Sequence, residues 1–361
     1  MEPVTHFLTG ACLGRSGFNR TTAYATLAMT LAAEAPDIDV SWAIRGPVAA
    51  LQHHRGITHT FVGAPAMALL VTGAVWLWHR WRTRGAAPAQ VPAGSSADPG
   101  PPLRWGLIWL LAWIADLSHI LLDWTNNYGV RPFFPFNPRW HQGSIFFIFE
   151  PLVFLALLGA LLVPAILGLA DREIGARRPR FRGRGWAIAA LCFVALLGCW
   201  RWAEHERALD LMAQQDYQGE VPIHMTVSPY PVDPFRWFGV VETRDFYQTA
   251  IVNTRTGEWT SRVPEDVYYK QPQTAAIHTA EGSWLGRVFL DWSRFPLVEE
   301  AGTFGALPGG ARYTRVSFRD LRFAYDVLFM KGRNDNPLGG MVTIAPDGRV
   351  DEMQMGDRVQ K

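Results

Sequence analysis

The chain has 361 residues, 16 Trp and 21 Phe among them, and its positive charge is almost all arginine, with lysine only at 270, 331 and 361. A formal net charge of +2 gives no basis for a nucleic-acid partner, and the arginines gather in two connections where membrane topology accounts for them better. The mean hydropathy of +0.02 averages an apolar first half with a polar remainder, so two regions are expected: a membrane-embedded helical domain over residues 1–203 and a soluble domain over 204–361.

In chain order, residues 4 to 14 and 21 to 35 read as two short apolar helices joined at Arg15-Ser16-Gly17-Phe18-Asn19-Arg20. Such a hairpin returns His6 to the level of Asp37, just past the end of the second helix. Neither helix has the roughly 20 residues that span a bilayer comfortably. Met1-Glu2-Pro3 lacks a positive n-region, so no signal peptide is expected. Phe61 to Trp78 is long enough to span and ends in an arginine-rich stretch, followed by a low-complexity connection from 85 to 102. Trp105 to Leu122, Ile145 to Leu169 and Trp186 to Trp202 read as three further spans, the last two joined by Arg172, Arg177, Arg178, Arg180, Arg182 and Arg184.

The expected fold class is therefore a mainly α polytopic bundle of about six membrane-embedded helices followed by a small soluble α+β or mostly β domain. In the latter, Phe235 to Asn253 and Arg312 to Met330 carry strand-like composition or alternation, and Met341 to Ile344 with Pro346-Asp347-Gly348 reads as a hairpin. The arginine asymmetry puts the connections at 15–20, 80–104 and 171–185 in the cytoplasm. The connections at 36–60 and 123–144, and the C-terminal domain, then face the periplasm across a bacterial inner membrane.

The chemistry concentrates in those outer connections. Pro36-Asp37-Ile38-Asp39 and His53-His54-Arg55-Gly56-Ile57-Thr58-His59 bring imidazoles and carboxylates together within a short stretch, the ingredients of a metal site. Asp116, His119 and Asp123, spaced by three and four, lie along one face of an apolar helix, where ionisable side chains are costly and usually functional. The candidate metal ligands are His6, Asp37, Asp39, His54, His59, His119 and Asp123. They exceed what one tetrahedral ion uses, so either two ions bind or some of them orient the others. The mixed donors suit zinc first, with manganese and iron also compatible. Asp116 sits deeper and reads as a partner that orients a ligand imidazole. Asp39 is a candidate catalytic carboxylate, and Glu150, placed about one turn inside its span, is a candidate ligand or general base. Arg55 has two open readings: binding an anionic substrate group bidentately, or pairing with Asp37 or Asp39.

Together, Thr5-His6, Pro36-Asp37-Ile38-Asp39, His54-Arg55-Gly56-Ile57-Thr58-His59 and Ser118-His119-Ile120-Leu121-Leu122-Asp123 with Tyr128-Gly129 resemble the YdjM-type family of bacterial inner-membrane proteins. Its members are described as membrane-bound metal-dependent hydrolases, and the resemblance covers roughly the first half of the chain. It implies metal-assisted hydrolysis. The location of the site at a membrane surface favours an amphiphilic or lipid-linked ester, a phosphoester included, beside the lipid bilayer itself as partner. No Gly-rich phosphate loop or Gly-x-Ser-x-Gly elbow is present, which excludes the signatures of nucleotide-driven transport and of a serine esterase. The rival class is a non-enzymatic metal-binding transporter or assembly factor, with the C-terminal domain binding a protein partner whose nature the sequence leaves open.

Overall fold

A computed structural model describes residues 1–84, 100–173, 183–305, 312–325 and 338–360. Most of the low-complexity connection, the arginines at 177, 178, 180 and 182, and the end of the strand region read at 312–330 lie outside the described residues. The chain divides into two compact units, one formed by Met1–Ile38 with Arg55–Trp200 and the other by Asp39–His54 with Arg201–Lys361.

The first unit is helical. Helices α1 (Pro3–Arg15) and α2 (Ala25–Ala32) form the hairpin expected from the sequence, and small residues let them approach closely. A Cβ on Gly10 would stand 2.5 Å from the Met29 carbonyl oxygen, and one on Gly14 2.5 Å from the Thr26 Cα. Two glycines four residues apart thus form the groove that receives α2. The turn preceding α2 places Tyr24 in the left-handed region, at φ 62°. Helices α4 (Ala64–Thr83) and α5 (Trp105–Trp124) pack on this hairpin through Ala28, Met29, Ala32, Ala68, Val71, Ile108 and Ala112, all buried. Helix α6 (Pro151–Glu173) and the first part of α7 (Arg184–Ala213) close a second apolar cluster around Leu8, Cys12, Val153, Leu157 and Ala187.

Among the described residues, three helices are long and apolar enough to cross a membrane: α5, α6 and α7. There are four if the broken pair Pro47–His59 and Ala64–Thr83 forms one span. This corrects the expected six. At 13 and 8 residues, α1 and α2 extend only about 20 Å and 12 Å by helical rise, short of the ~30 Å hydrocarbon core. One face of each packs inside the bundle, through Leu8 and Cys12 of α1 and Ala28 and Met29 of α2, while Val4, Phe7, Leu27 and Leu31 are exposed. Helix α4 carries Arg80 and Arg82 in its last turn, which shortens its uncharged length.

The second unit corrects the other half of the expected fold class. Instead of one small α+β or mostly β domain it holds two separate open antiparallel sheets. The first contains β1 (His224–Pro229), β2 (Arg236–Glu242), β3 (Phe246–Asn253) and β4 (Glu258–Thr260) in sequential order, with β5 (Val267–Tyr269) also pairing with β3. Its inner face is filled by Val227, Trp237, Val241, Phe246 and Val252, against Ala208 and Met212 of α7. The second sheet has the order β10-β9-β8-β7-β6, made of β6 (Pro296–Phe304), β7 (Tyr313–Asp320), β8 (Gly340–Ile344), β9 (Val350–Met355) and β10 (Arg358–Gln360). Helices α8 (Ala275–Gly282) and α9 (Trp284–Trp292) join the two, each capped by a hydroxyl: Thr274 accepts from the Ile277 N–H and Ser283 from the Gly286 N–H. Residues Asp39–His54 belong to this unit, and their one α-helix is α3 (Pro47–His53).

Candidate metal centre

Four side chains of the first unit meet at one point: Asp37 after α2, His59 in a 3-10 turn before α4, and His119 and Asp123 one turn apart on α5. One donor atom from each lies within 4.8 Å of all the others. The Nε2 atoms of His59 and His119 are 3.1 Å apart. Asp37 Oδ1 lies 3.4 Å from His59 Nε2 and 3.6 Å from His119 Nε2, and Asp123 Oδ2 lies 3.5 Å from each. Donors about 2.0–2.1 Å from a tetrahedral ion stand roughly 3.3 Å apart, so these separations fit a single four-coordinate cation.

The protonation pattern argues the same way. His119 Nδ1 lies 2.7 Å from the Ala33 carbonyl oxygen, which can only accept, so Nδ1 carries the hydrogen and Nε2 presents a lone pair. That lone pair faces two carboxylate oxygens and a second imidazole nitrogen. A hydrogen on His59 Nε2 could satisfy one of those contacts and leave the rest as acceptors facing acceptors. A divalent cation removes the conflict, and the residues present therefore fit one.

Around the four, other residues hold the donors in place. His6 stacks on His119 with ring centroids 3.8 Å apart and directs Nε2 at Asp123 Oδ1, 3.2 Å away. The amino group of Met1 also meets Asp123 Oδ1. Arg55 Nε lies 2.8 Å from Asp123 Oδ2, while its Nη1 donates to the Gly129 carbonyl at 2.8 Å and to Asn126 Oδ1 at 3.2 Å. Its guanidinium also stands 4.8 Å from the centre of the Tyr128 ring. Arg55 thus ties Asp123 to the loop that follows α5. The unusual backbone is on Arg55 itself, at φ 51°, while Gly56 has a negative φ.

His59, His119 and Asp123 are essentially sealed, whereas the Asp37 side chain is 24 % exposed, so the cluster opens on the Asp37 side. Burial disfavours the Asp37 carboxylate, but its hydrogen bond with His59 and the nearby His119 outweigh this and hold its pKa below the usual range. Glu34, one turn earlier, was not singled out from the sequence. Burial, with Asp37 nearby, pushes its carboxyl up to about 7. The signal that could have found it is its place one turn before Asp37 at the end of an apolar helix.

The remaining candidates are placed as follows. Asp39 and His54 lie in the second unit, where His54 Nδ1 stands 3.2 Å from Asp39 Oδ1. Glu150 is buried immediately before α6, which begins at Pro151, and not one turn inside a span. Asp116 is fully buried on the same face of α5, and neither of its carboxylate oxygens has a hydrogen-bond partner among the described residues.

Membrane-crossing helices and a buried His-His-Asp-Asp donor set define the class: a multi-pass membrane protein with a metal-binding cluster. Residues 1–208, more than half of the chain, match the YdjM inner membrane protein family, and the chain belongs to it. It is also similar to YfhP of Bacillus subtilis (strain 168), described as an uncharacterized protein, at 23 % identity over 171 residues covering 45 % of this chain and 46 % of YfhP. The chain thus matches about half the length of that curated relative. No solved structure matches.

Proposed function

We propose that this protein is a membrane-bound metal-dependent hydrolase. A divalent ion, zinc by the fit of four mixed donors, would be held by Asp37, His59, His119 and Asp123. The observation that carries the reading is the convergence of four donors within 4.8 Å, with His–His and His–Asp separations of 3.1 to 3.6 Å and an imidazole lone pair turned toward carboxylates. When bound, such an ion supplies Lewis acidity and activates water for attack on an ester. The chain's own residues do the rest. The Ala33 carbonyl fixes the His119 tautomer, and His6 and Arg55 orient Asp123 from either oxygen. Asp37, reached by solvent, marks the side from which a substrate enters.

We place this opening at the periplasmic face. Arg184 Nε donates to the Ser16 carbonyl at 3.0 Å, which brings the Arg15 end of α1 beside the start of α7, at the opposite end of α1 from His6. The arginine-rich end belongs in the cytoplasm by the positive-inside rule. An amphiphilic or lipid-linked ester, with a phosphoester among the candidates, is the substrate class that such a position favours. Reporters inserted near residue 90 and fused at the C-terminus test the orientation, with cytoplasmic and periplasmic signals expected respectively. For the activity, metal analysis of purified protein is paired with a hydrolysis screen on phosphoesters and lipid esters. Wild-type protein without metal, or turnover unchanged in His119→Ala, sinks the reading. Metal without turnover on any ester leaves the rival transporter or assembly role.

A further inference from the structure

Between Asp37 and His59 the chain leaves the first unit after Ile38 and returns at Arg55. Within the second unit, the intervening residues 39–54 are held by specific bonds. The side-chain amide of Gln360, in β10, bridges this segment like a strand partner: Oε1 accepts from the Val48 N–H at 2.9 Å and Nε2 donates to the Arg45 carbonyl at 3.0 Å. Gly46, between those two residues, adopts φ 110°, and a Cβ there would fall 2.4 Å from Gln360 Oε1. Trp284 Nε1 donates to Gln52 Oε1 at 2.9 Å, and Val48, Ala49 and Leu51 are buried. The Asp39–His54 contact closes the base of the segment, joining residues 15 positions apart.

Both ends of this segment are joined along the chain to residues of the donor set. Asp37 lies two residues before Asp39. Arg55, which follows His54 directly, forms an ion pair with Asp123 Oδ2. We propose that the second unit positions the metal centre: Gln360 grips residues 39–54, and the grip is transmitted along the chain to Asp37 at one end and to Arg55, Asp123 and His59 at the other. Asp39 and His54 then stitch the strap and do not themselves bind the ion. This rests on the metal-binding reading of the four-residue cluster. It also gives the second unit a task that needs no active site of its own, since anything that loosens or tightens the grip on 39–54 changes metal affinity.

Reciprocity provides the test, because a grip that affects metal binding must itself respond to metal. In full-length protein in detergent, hydrogen exchange is followed with and without Zn²⁺. Added Zn²⁺ is expected to slow exchange at the Val48 amide and in β10. In parallel, Gln360→Ala should weaken Zn²⁺ binding by about fivefold, the low end of typical coupling. The control is Gln354→Ala, whose amide serves only the Gly356 carbonyl among the bonds described for it, and it should leave affinity unchanged. Gln360→Glu keeps the acceptor for Val48 but turns a carboxylate oxygen on the Arg45 carbonyl, so its affinity should fall at least as far as that of Gln360→Ala. Zn²⁺ binding with unmoved exchange at Val48 and in β10 overturns the proposal while leaving the metal centre intact. The exchange result in wild type decides the matter even if Gln360→Ala fails to fold. Absence of Zn²⁺ binding in wild type overturns the metal reading and this proposal with it.

Discussion

Two buried charged clusters in this chain are built on opposite principles. In the second unit, Asp320 accepts from Ser293 Oγ at 2.7 Å, from the Arg294 and Arg322 N–H groups at 3.1 and 2.9 Å, and from Arg322 Nη2 at 2.7 Å. The Arg322 guanidinium stands 5.2 Å from the Trp292 ring centre and 5.3 Å from that of Phe323. One negative and one positive group neutralise each other, and the carboxylate is surrounded by donors. In the first unit Asp123 also has cations beside it, Arg55 and the Met1 amino group, yet the His119 lone pair still faces Asp37 Oδ1 and Asp123 Oδ2. A polar cluster complete in itself serves the fold. One whose acceptors converge without enough hydrogens between them is arranged around a cation. The contrast separates a structural ion pair from a candidate centre more sharply than burial does, since both are buried.

The largest expected effect breaks the incomplete cluster. Removing one imidazole, as in His119→Ala or His59→Ala, deletes one of four donors and should abolish stoichiometric metal, read by elemental analysis of protein purified in detergent. Any ester hydrolysis should disappear with it. The same kind of truncation at Asp320 should leave metal content at the wild-type level. Asp320→Ala instead leaves Arg322 buried without its partner, which typically costs about 3–5 kcal/mol. Denaturant unfolding followed at the tryptophans beside it would show that loss, and a stability within error of wild type would mean that the pair contributes nothing to the fold.

Acid should sharpen the same comparison at smaller amplitude. Burial works against the Asp320 charge, but Arg322, Ser293 and the backbone N–H groups outweigh it and hold the folded carboxyl below its ordinary value. The unfolded chain therefore takes up the proton first as pH falls. The stability supplied by this group is present in full above about pH 4 and is lost as pH drops through the folded pKa. Unfolding midpoints measured at pH 7, 5 and 3 should decline mainly in the last interval, and the decline should flatten in Asp320→Asn. A dependence as steep in the variant as in wild type would assign the acid loss to other carboxylates.

The difference between the two clusters was only partly legible in the sequence. Spacings of three and four along α5 already put Asp116, His119 and Asp123 on one face, and the hairpin formed by the first two segments carries His6 toward them. What spacing cannot supply is the partner chosen by a long side chain. Arg55 pairs with Asp123, 68 residues away, a partner that spacing had not suggested for it. Asp39 and His54 read as ligands by residue type, while the course of the chain that sets residues 39–54 in the second unit is not visible in a sequence. The helix count failed for a different reason: hydropathy registers the apolar residues of α1 and α2, while helices of 13 and 8 residues are too short to cross. In the second unit, alternation marked individual strands such as β7 and β8, but it contains no information on which sheet each strand joins.

The smallest effect concerns the hydroxyl beside His59. Thr58 Oγ1 lies 3.1 Å from His59 Nδ1, the ring atom turned away from the donor set, as the Ala33 carbonyl does for His119. If this contact orients the imidazole so that Nε2 points at the centre, Thr58→Val, which keeps the shape and removes the hydrogen bond, should lower metal affinity by about tenfold, the low end for such supporting partners. Folding stability without metal should hardly change, because the Thr58 contact is local and only part-buried. Zn²⁺ titration against a chromophoric competitor, with unfolding of the metal-free protein measured alongside, separates the two quantities. Equal losses in both would make Thr58 an ordinary structural hydroxyl, comparable to Ser293 beside Asp320. A loss confined to affinity would show that the support around the first cluster is directed at the ion and not at the fold.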